Sequence, residues 1–209
     1  MASSKISQVL LHRLPCYLNY LRSLPGSDHY ISATTIANAL GLGDVQVRKD
    51  LAAISDAGRR RTGRSRDQLI RDIEDYLGFS AAAPTVVIGA GAMGQAFLDY
   101  RGFDHSGLRI LACFDHNPDM SQSIQGKPVY PMEELDAFCR EQGVRIGIIA
   151  VPMEEAQNAC DCLVRCGVRG IWNLSPAHIR VPADVALRSE NFAAAASALL
   201  AEMKDADFS

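Results

Sequence analysis

The residues whose types and spacing most directly imply chemistry are Gly89, Ala90, Gly91, Ala92, Met93 and Gly94, which follow the apolar run Thr85 to Ile88 and open the stretch QAFLDY. A GxGxxG pattern set between a strand and a helix suits the pyrophosphate of a dinucleotide. Its first glycine permits a tight turn, its second lets backbone approach the phosphates at a helix N-terminus, and its third lets the helix pack closely on the strand. Asp115 lies 21 residues beyond Gly94, at the end of the next apolar run, RILACFD. A carboxylate there accepts both ribose hydroxyls and repels a 2'-phosphate, which favours NAD(H) over NADP(H). The competing role for Asp115 is to cap the turn at Asn117-Pro118.

Val151 and Pro152 after one strand, and Asn173 and Ser175 after another, fall at carboxyl ends of strands, where such sheets bind ligand, and are candidates for the nicotinamide neighbourhood. Met93 reads as helix packing and Trp172 as core. Hydride transfer would require a proton donor or acceptor beside the nicotinamide and a separate substrate region. His105, His116 and His178 stand in turn-like contexts without an evident carboxylate partner, and the dinucleotide fold uses up the rest of the chain. No catalytic residue is assigned, so a domain that binds without chemistry is expected; the competing reading is a small NAD-dependent oxidoreductase.

The elements that must position these residues alternate. Strands TVVIG, RILACFD, KPVY, RIGIIAVP and GIWNL and an extended piece near VALRS are separated by helical patterns, as in a parallel sheet with crossover helices. Ahead of them the texture is helical. Val9, Leu10, Leu14, Tyr17, Leu18 and Leu21 recur at helical spacing over residues 6–24, with Pro15 as an early kink or boundary. Ser32 caps and Gly41 stops a short second helix. Asp44 is placed as the cap of a third, DVQVRKDLAAIS, whose Val47, Leu51 and Ile54 form a buried stripe while Gln46, Lys49 and Ala53 face away. Two short helices about a glycine turn fit a helix-turn-helix. Residues 56–66, DAGRRRTGRSR, suit a wing laying Arg59, Arg60, Arg61 and Arg64 along phosphates. A fourth helix over 67–77 closes this part, and residues 78–84 are the linker.

The 209 residues, 48% apolar and 22% charged, suit two folded domains and contain no run long enough for a membrane span. The N-terminus lacks the pattern of a signal peptide, so a cytoplasmic protein is expected. Net charge is -3, but residues 1–79 carry +3 and the remainder -6, and Arg48 to Arg66 alone carry +5, a patch that phosphate backbones attract. The six cysteines show no CxxC or metal-ligand spacing and read as buried thiols, with Cys162 and Cys166 weighed as a thiol sensor; no metal site is assigned.

These stretches resemble the Rex family of redox-sensing transcriptional repressors. The likeness is carried by ISATTIANALGLGDVQVRKDL, VIGAGAMGQAFLDYRGF, CFDHNP, AVP and GVRGIWNLSPAHIRVP, in order and over almost the whole chain. The resemblance implies an α/β two-domain fold: a winged helix-turn-helix over 1–79, a Rossmann-like NAD(H)-binding domain over 80–190, and a C-terminal helix over 191–209 exchanged between subunits. It implies a homodimer that binds double-stranded DNA at a palindromic operator with NAD+ or no dinucleotide, and leaves it with NADH. Gln46, Arg48 and Lys49 would then meet the major groove, and Tyr100 would lie near the nicotinamide. Departures are Arg61 and Arg64 where the family carries Gly and Tyr, and Asn19 and Asn191 where it carries an Arg and an Asp. The alternative they raise is a repressor of this fold with an altered or lost NADH response.

Overall fold

The structure is a computed structural model that describes residues 8–26, 29–55, 63–79, 82–103, 106–117 and 126–206. The chain divides into two compact units, Met1–Ala81 and Ala82–Ser209.

In the first unit, α1 (Gln8–Ser23), α2 (Ala33–Leu40), α3 (Asp44–Ile54) and α4 (Arg66–Leu77) enclose one core, and β1 (Tyr30–Ile31) pairs antiparallel with β2 (Arg64–Ser65). Leu14, Tyr17, Leu18 and Leu21 of α1 meet Ile36, Val47, Leu51, Leu69 and Ile73, all fully buried. Pro15 lies inside α1 and does not end it, because the apolar stripe on either side is held by this core. Ser32 caps α2, accepting from the Thr35 N–H at 3.0 Å, and Gly41 ends it with φ 64, a left-handed turn that glycine adopts without strain. The expected cap of α3 is not found at Asp44. Gly43 is the N-cap, and Asp44, already helical, accepts from the Thr34 hydroxyl at 2.7 Å and pairs with Arg48 at 2.9 Å. Its carboxylate is drawn to those donors and to the helix's positive end.

The second unit is a six-stranded parallel sheet of β3 (Ala83–Ile88), β4 (Leu108–Asp115), β5 (Val129–Pro131), β6 (Ile146–Ile149), β7 (Gly170–Asn173) and β8 (Ala186–Ser189), in the order β5-β4-β3-β6-β7-β8. This is the doubly wound order in which the connections diverge between β3 and β6, leaving a crevice beyond their carboxyl ends. Side chains alternate across the sheet. Val86 and Ile88 face α6 (Leu135–Gln142) and α7 (Ala156–Arg165), while Val87 faces α5 (Ala92–Asp99) through Leu98. Trp172 packs edge-on against Phe97 and Phe103, as a core residue. No described helix is long and apolar enough to cross a membrane.

Helix α8 (Phe192–Ala206) departs from this pattern: Phe192, Leu199, Leu200 and Met203 are each more than half exposed. Asn191 caps it, accepting from the Ala194 N–H at 2.9 Å. The cysteines depart too. Cys113, Cys139 and Cys160 are buried, Cys162 and Cys166 half-buried, and Cys16 is exposed on the solvent side of α1, so not all six are the buried thiols expected. Burial pushes the Cys113 and Cys139 thiols up to about 12, which keeps them protonated and unreactive.

Replacing Ile36 by Ala removes a fully buried side chain joining α2 to the first core. The expected cost is about 2 to 5 kcal/mol, read by denaturant unfolding.

Candidate functional site

The glycine motif sits where the parallel sheet opens. At Gly89 φ is 103, and a Cβ there would lie 2.6 Å from the Ala150 carbonyl oxygen, so β3 can turn beside β6 only with glycine. A Cβ on Gly94 would lie 1.8 Å from the Gly89 carbonyl oxygen, so α5 comes down onto its own strand only with glycine here as well. Gly91 is different: nothing in the protein lies within 4 Å of the Cβ it lacks. It is the N-cap of α5 and supplies no side-chain cap, and the first backbone bond of the helix is Gln95 N–H to Gly91 O at 3.0 Å. The N–H groups of Ala92, Met93 and Gly94 therefore lie at the helix's positive end with room in front of them, the arrangement that holds a phosphate.

Asp115 ends β4 beside this loop and caps the turn at Asn117, one of the two roles weighed for it. Its Oδ2 accepts from the Ala90 N–H at 2.6 Å, and its Oδ1 from the Asn117 N–H at 2.9 Å. A carboxylate offers about four acceptor positions, so it can tie down the loop and still receive ribose hydroxyls. Gly89, Asp115 and Val151 line one cavity of about 190 Å³, together with His116, Glu155 and Asn158. A dinucleotide is larger than that volume and would extend from it along the strand ends. The residues present fit such a ligand: an open helix terminus for pyrophosphate and a carboxylate for ribose.

Several expected contributors stand elsewhere. Asn173 and Ser175 lie at the carboxyl end of β7 but are buried, with their side chains engaged. Asn173 donates to the Ala177 carbonyl at 2.9 Å and accepts from the Ser175 N–H at 3.0 Å, while Ser175 Oγ accepts from the Ala177 N–H at 3.1 Å. They shape the turn and do not line the cavity. Pro152 does not line it either and precedes a 3-10 turn over Met153–Glu155. Met93 is 41% exposed, so the packing expected of its side chain is absent. Tyr100 is the largest displacement. Helix α5 runs about 12 Å back from the glycine loop, and Tyr100 at its end lies with Ala82, Leu108 and Ile110, by the starts of β3 and β4. It is 60% exposed and does not line the cavity that holds Gly89 and Asp115. His116, Glu155 and Asn158 were missed by motif reasoning; adjacency to Asp115, and the first turns of the helix after β6, were the available signals. His178 is exposed, as read. His105 and Pro118 lie outside the described residues.

On α3, Gln46, Arg48 and Lys49 are exposed on the side opposite Val47 and Leu51, and Arg48 is 65% exposed despite its pairing with Asp44. Arg59, Arg60 and Arg61 lie outside the described residues. Arg64 is half-buried at the base of the β1–β2 pair. Its Nε is buried without a hydrogen-bond partner, and burial lowers its pKa, so it packs into the unit more than the reading of a backbone-following arginine requires.

Sequence reasoning overlooked what sits behind α3. Asp50, only 5% exposed, accepts from Arg13 Nε at 2.6 Å and Nη2 at 2.9 Å, from the Tyr17 hydroxyl at 2.7 Å and from Gln46 Nε2 at 2.8 Å. Burial alone would push the Asp50 pKa up, but the hydrogen bonds from Arg13, Tyr17 and Gln46 hold it below the ordinary value. Burial, with the bond to Asp50, drives Tyr17 up to about 12. The signal was an acid on the buried stripe between Val47 and Leu51, where a charge needs partners.

Comparison with known proteins agrees with both halves. Residues 5–52 match the family model "Putative DNA-binding protein N-terminus", and residues 81–177 match "CoA binding domain". Over 189 residues, 90% of this chain and 86% of the relative, it is 35% identical to the redox-sensing transcriptional repressor Rex of Bacteroides fragilis. This chain belongs to the Rex family. It is likewise 37% identical to Rex of Clostridium perfringens, covering 89% of this chain and 88% of that one. A crystal structure of the Rex-family repressor RSP in complex with beta-NAD+ and operator DNA superposes with a TM-score of 0.91 at 29% identity, covering 99% of this chain and 96% of that chain. RSP in complex with beta-NADH gives a TM-score of 0.85 over 99% and 98%. Rex proteins are transcriptional regulators, so the oxidoreductase reading is set aside.

Two expectations follow. Gly91→Ala leaves thermal stability near wild type but weakens dinucleotide binding in calorimetry, because its Cβ enters the ligand's space; Gly94→Ala lowers stability by about 1 to 3 kcal/mol from overpacking. Asp50, with its folded pKa depressed, contributes stability above the unfolded carboxylate pKa near 4 that is lost as pH falls through the lower folded value. Asp50→Asn therefore costs about 1.5 to 3 kcal/mol at pH 7, and in denaturant titrations the difference narrows as pH is lowered below about 4.

Proposed function

We propose that the chain is a homodimeric repressor that occupies a palindromic operator with NAD+ or no dinucleotide bound and leaves it when NADH binds. The observation that carries this is the cleft at the β3–β6 divergence, with Gly91 facing open space and Asp115 beside it, in a chain that matches an operator- and NAD+-bound repressor over 99% of its length. On this reading α2 and α3 are a helix-turn-helix with α3 in the major groove, where Gln46, Arg48 and Lys49 face base edges and phosphates. Arg59, Arg60 and Arg61, outside the described residues, would meet the DNA backbone, with Arg64 at the base of the β1–β2 pair. Dimerisation places two such helices one or two DNA turns apart. A repressor answering to the NAD(H) pool works where its operator and that pool meet, in the cytoplasm.

Helix α8 supplies the dimer contact by exchange. Four apolar side chains more than half exposed on one helix are an unfavourable surface for a monomer, and burying them against a partner removes apolar area from water. The placement of Tyr100 fits the same picture: any nicotinamide contact it makes has to come across that interface, from one chain to the dinucleotide of the other. Asn19 is exposed and uncharged, and Asn191 spends its side chain on the α8 cap, so a redox response here runs through packing of α8 and the dinucleotide and not through a charged pair between those positions.

Fluorescence anisotropy on labelled operator at fixed salt tests this. Release by NADH but not by NAD+ is expected, as is weaker specific binding for Lys49→Ala. Leu200→Asp should lower the molar mass in light scattering. DNA that stays bound under both nucleotides would leave the DNA-binding reading standing and refute the sensor; unchanged affinity in Lys49→Ala would refute the placement of α3.

A further inference from the structure

Gln46 stands on the exposed face of α3 one turn before Asp50, whose ionised carboxylate can only accept hydrogen bonds. The Gln46 atom facing Asp50 Oδ1 at 2.8 Å is accordingly Nε2. The remaining acceptor positions are taken: Arg13 Nη2 shares Oδ1, and Arg13 Nε and the Tyr17 hydroxyl share Oδ2. All four donors are in place, so Asp50 cannot turn away, and a reversed Gln46 amide would set Oε1 against a full carboxylate. The amide orientation is fixed from behind. Gln46 Oε1 is left as the acceptor, beside the second hydrogen of Nε2.

A base edge that matches this pair must offer a donor next to an acceptor. In the major groove adenine does so with its N6 amino group and N7. Cytosine offers only the N4 donor, guanine offers O6 and N7 acceptors, and thymine offers O4 and a methyl group. We infer that Asp50 is a positioning residue that locks the Gln46 amide and thereby makes Gln46 the reader of one adenine in each operator half-site. Asp50 itself is 5% exposed and works only through Gln46. The inference rests on the recognition-helix reading of α3 and adds to it the identity of a base.

The test is competition binding of the full-length protein to operator duplexes with all four bases at each pair of a half-site, for wild type, Gln46→Ala and Asp50→Asn. Wild type should prefer adenine at one pair by roughly 10- to 100-fold. Gln46→Ala, which leaves Arg13, Tyr17 and Asp50 in contact, should flatten that pair alone without changing the dependence on salt. Asp50→Asn should retain DNA binding but admit guanine at the same pair, because its side-chain amide no longer dictates which Gln46 atom faces outward. If Asp50→Asn does not fold, the side-chain amide of Gln46 in wild-type NMR spectra should still show one slowly exchanging hydrogen. An adenine preference that survives Gln46→Ala, a Gln46-dependent pair that favours guanine or thymine, or two freely exchanging amide hydrogens would overturn the inference. Absence of any sequence preference in wild type would instead strike the recognition-helix reading beneath it.

Discussion

The approach of α5 onto β3, where a single Cβ on Gly94 would come within 1.8 Å of the Gly89 carbonyl oxygen, is the constraint on which the C-terminal unit depends. Because α5 lies that close, its N-terminus opens at the carboxyl end of β3, where the connections to the neighbouring strands diverge. Gly89, wedged against Ala150, keeps β6 adjacent, and the Ala90 N–H bonded to Asp115 keeps β4 adjacent. Three strands are thus gathered around one short turn. The same geometry sends α5 back along the sheet and carries Tyr100 away from the cleft, so the anion end and the aromatic end of this helix serve different places.

The N-terminal unit turns on a charge. Asp50 lies in the buried seam of α3, and an acid there is tolerated because α1 brings Arg13 and Tyr17 to it. This reconciles two features of α3: its outer face exposes Gln46, Arg48 and Lys49, while a carboxylate one turn away is paired with Arg13 in the core. The bond to Gln46 carries the arrangement from the core to the surface, so the packing of α1 bears on how the exposed face of α3 is set.

Much of this was legible because its causes are local. Period-two and period-3.6 patterns gave the strand and helix order, and Gly89 and Gly94 have the steric reasons assigned from spacing, visible in what a Cβ would strike, while Gly91 leaves open space. Asp115 caps the turn at Asn117 and holds the Ala90 N–H, and a carboxylate has acceptors enough that neither bond excludes a ribose hydroxyl. What stayed hidden depends on partners distant in sequence. The Arg13–Asp50 pair spans 37 residues. Asn173 and Ser175 look like ligand groups by position, but their local turn claims them. Tyr100 follows the glycine motif closely in sequence, yet the length of α5 separates them. Asp44 and Ser32 differ only in which residue reached the cap, a distinction set by Thr34 and Arg48 around Asp44.

The two units matter together only if the dinucleotide cleft and the DNA-facing helix are energetically coupled, and such coupling is reciprocal. The most direct measurement is calorimetric titration of NADH, and separately NAD+, into the protein alone and into its complex with operator DNA. Weaker NADH binding in the complex, by the same factor by which NADH weakens DNA binding and with NAD+ unaffected, is the predicted result. Equal NADH affinity with and without operator would contradict the account.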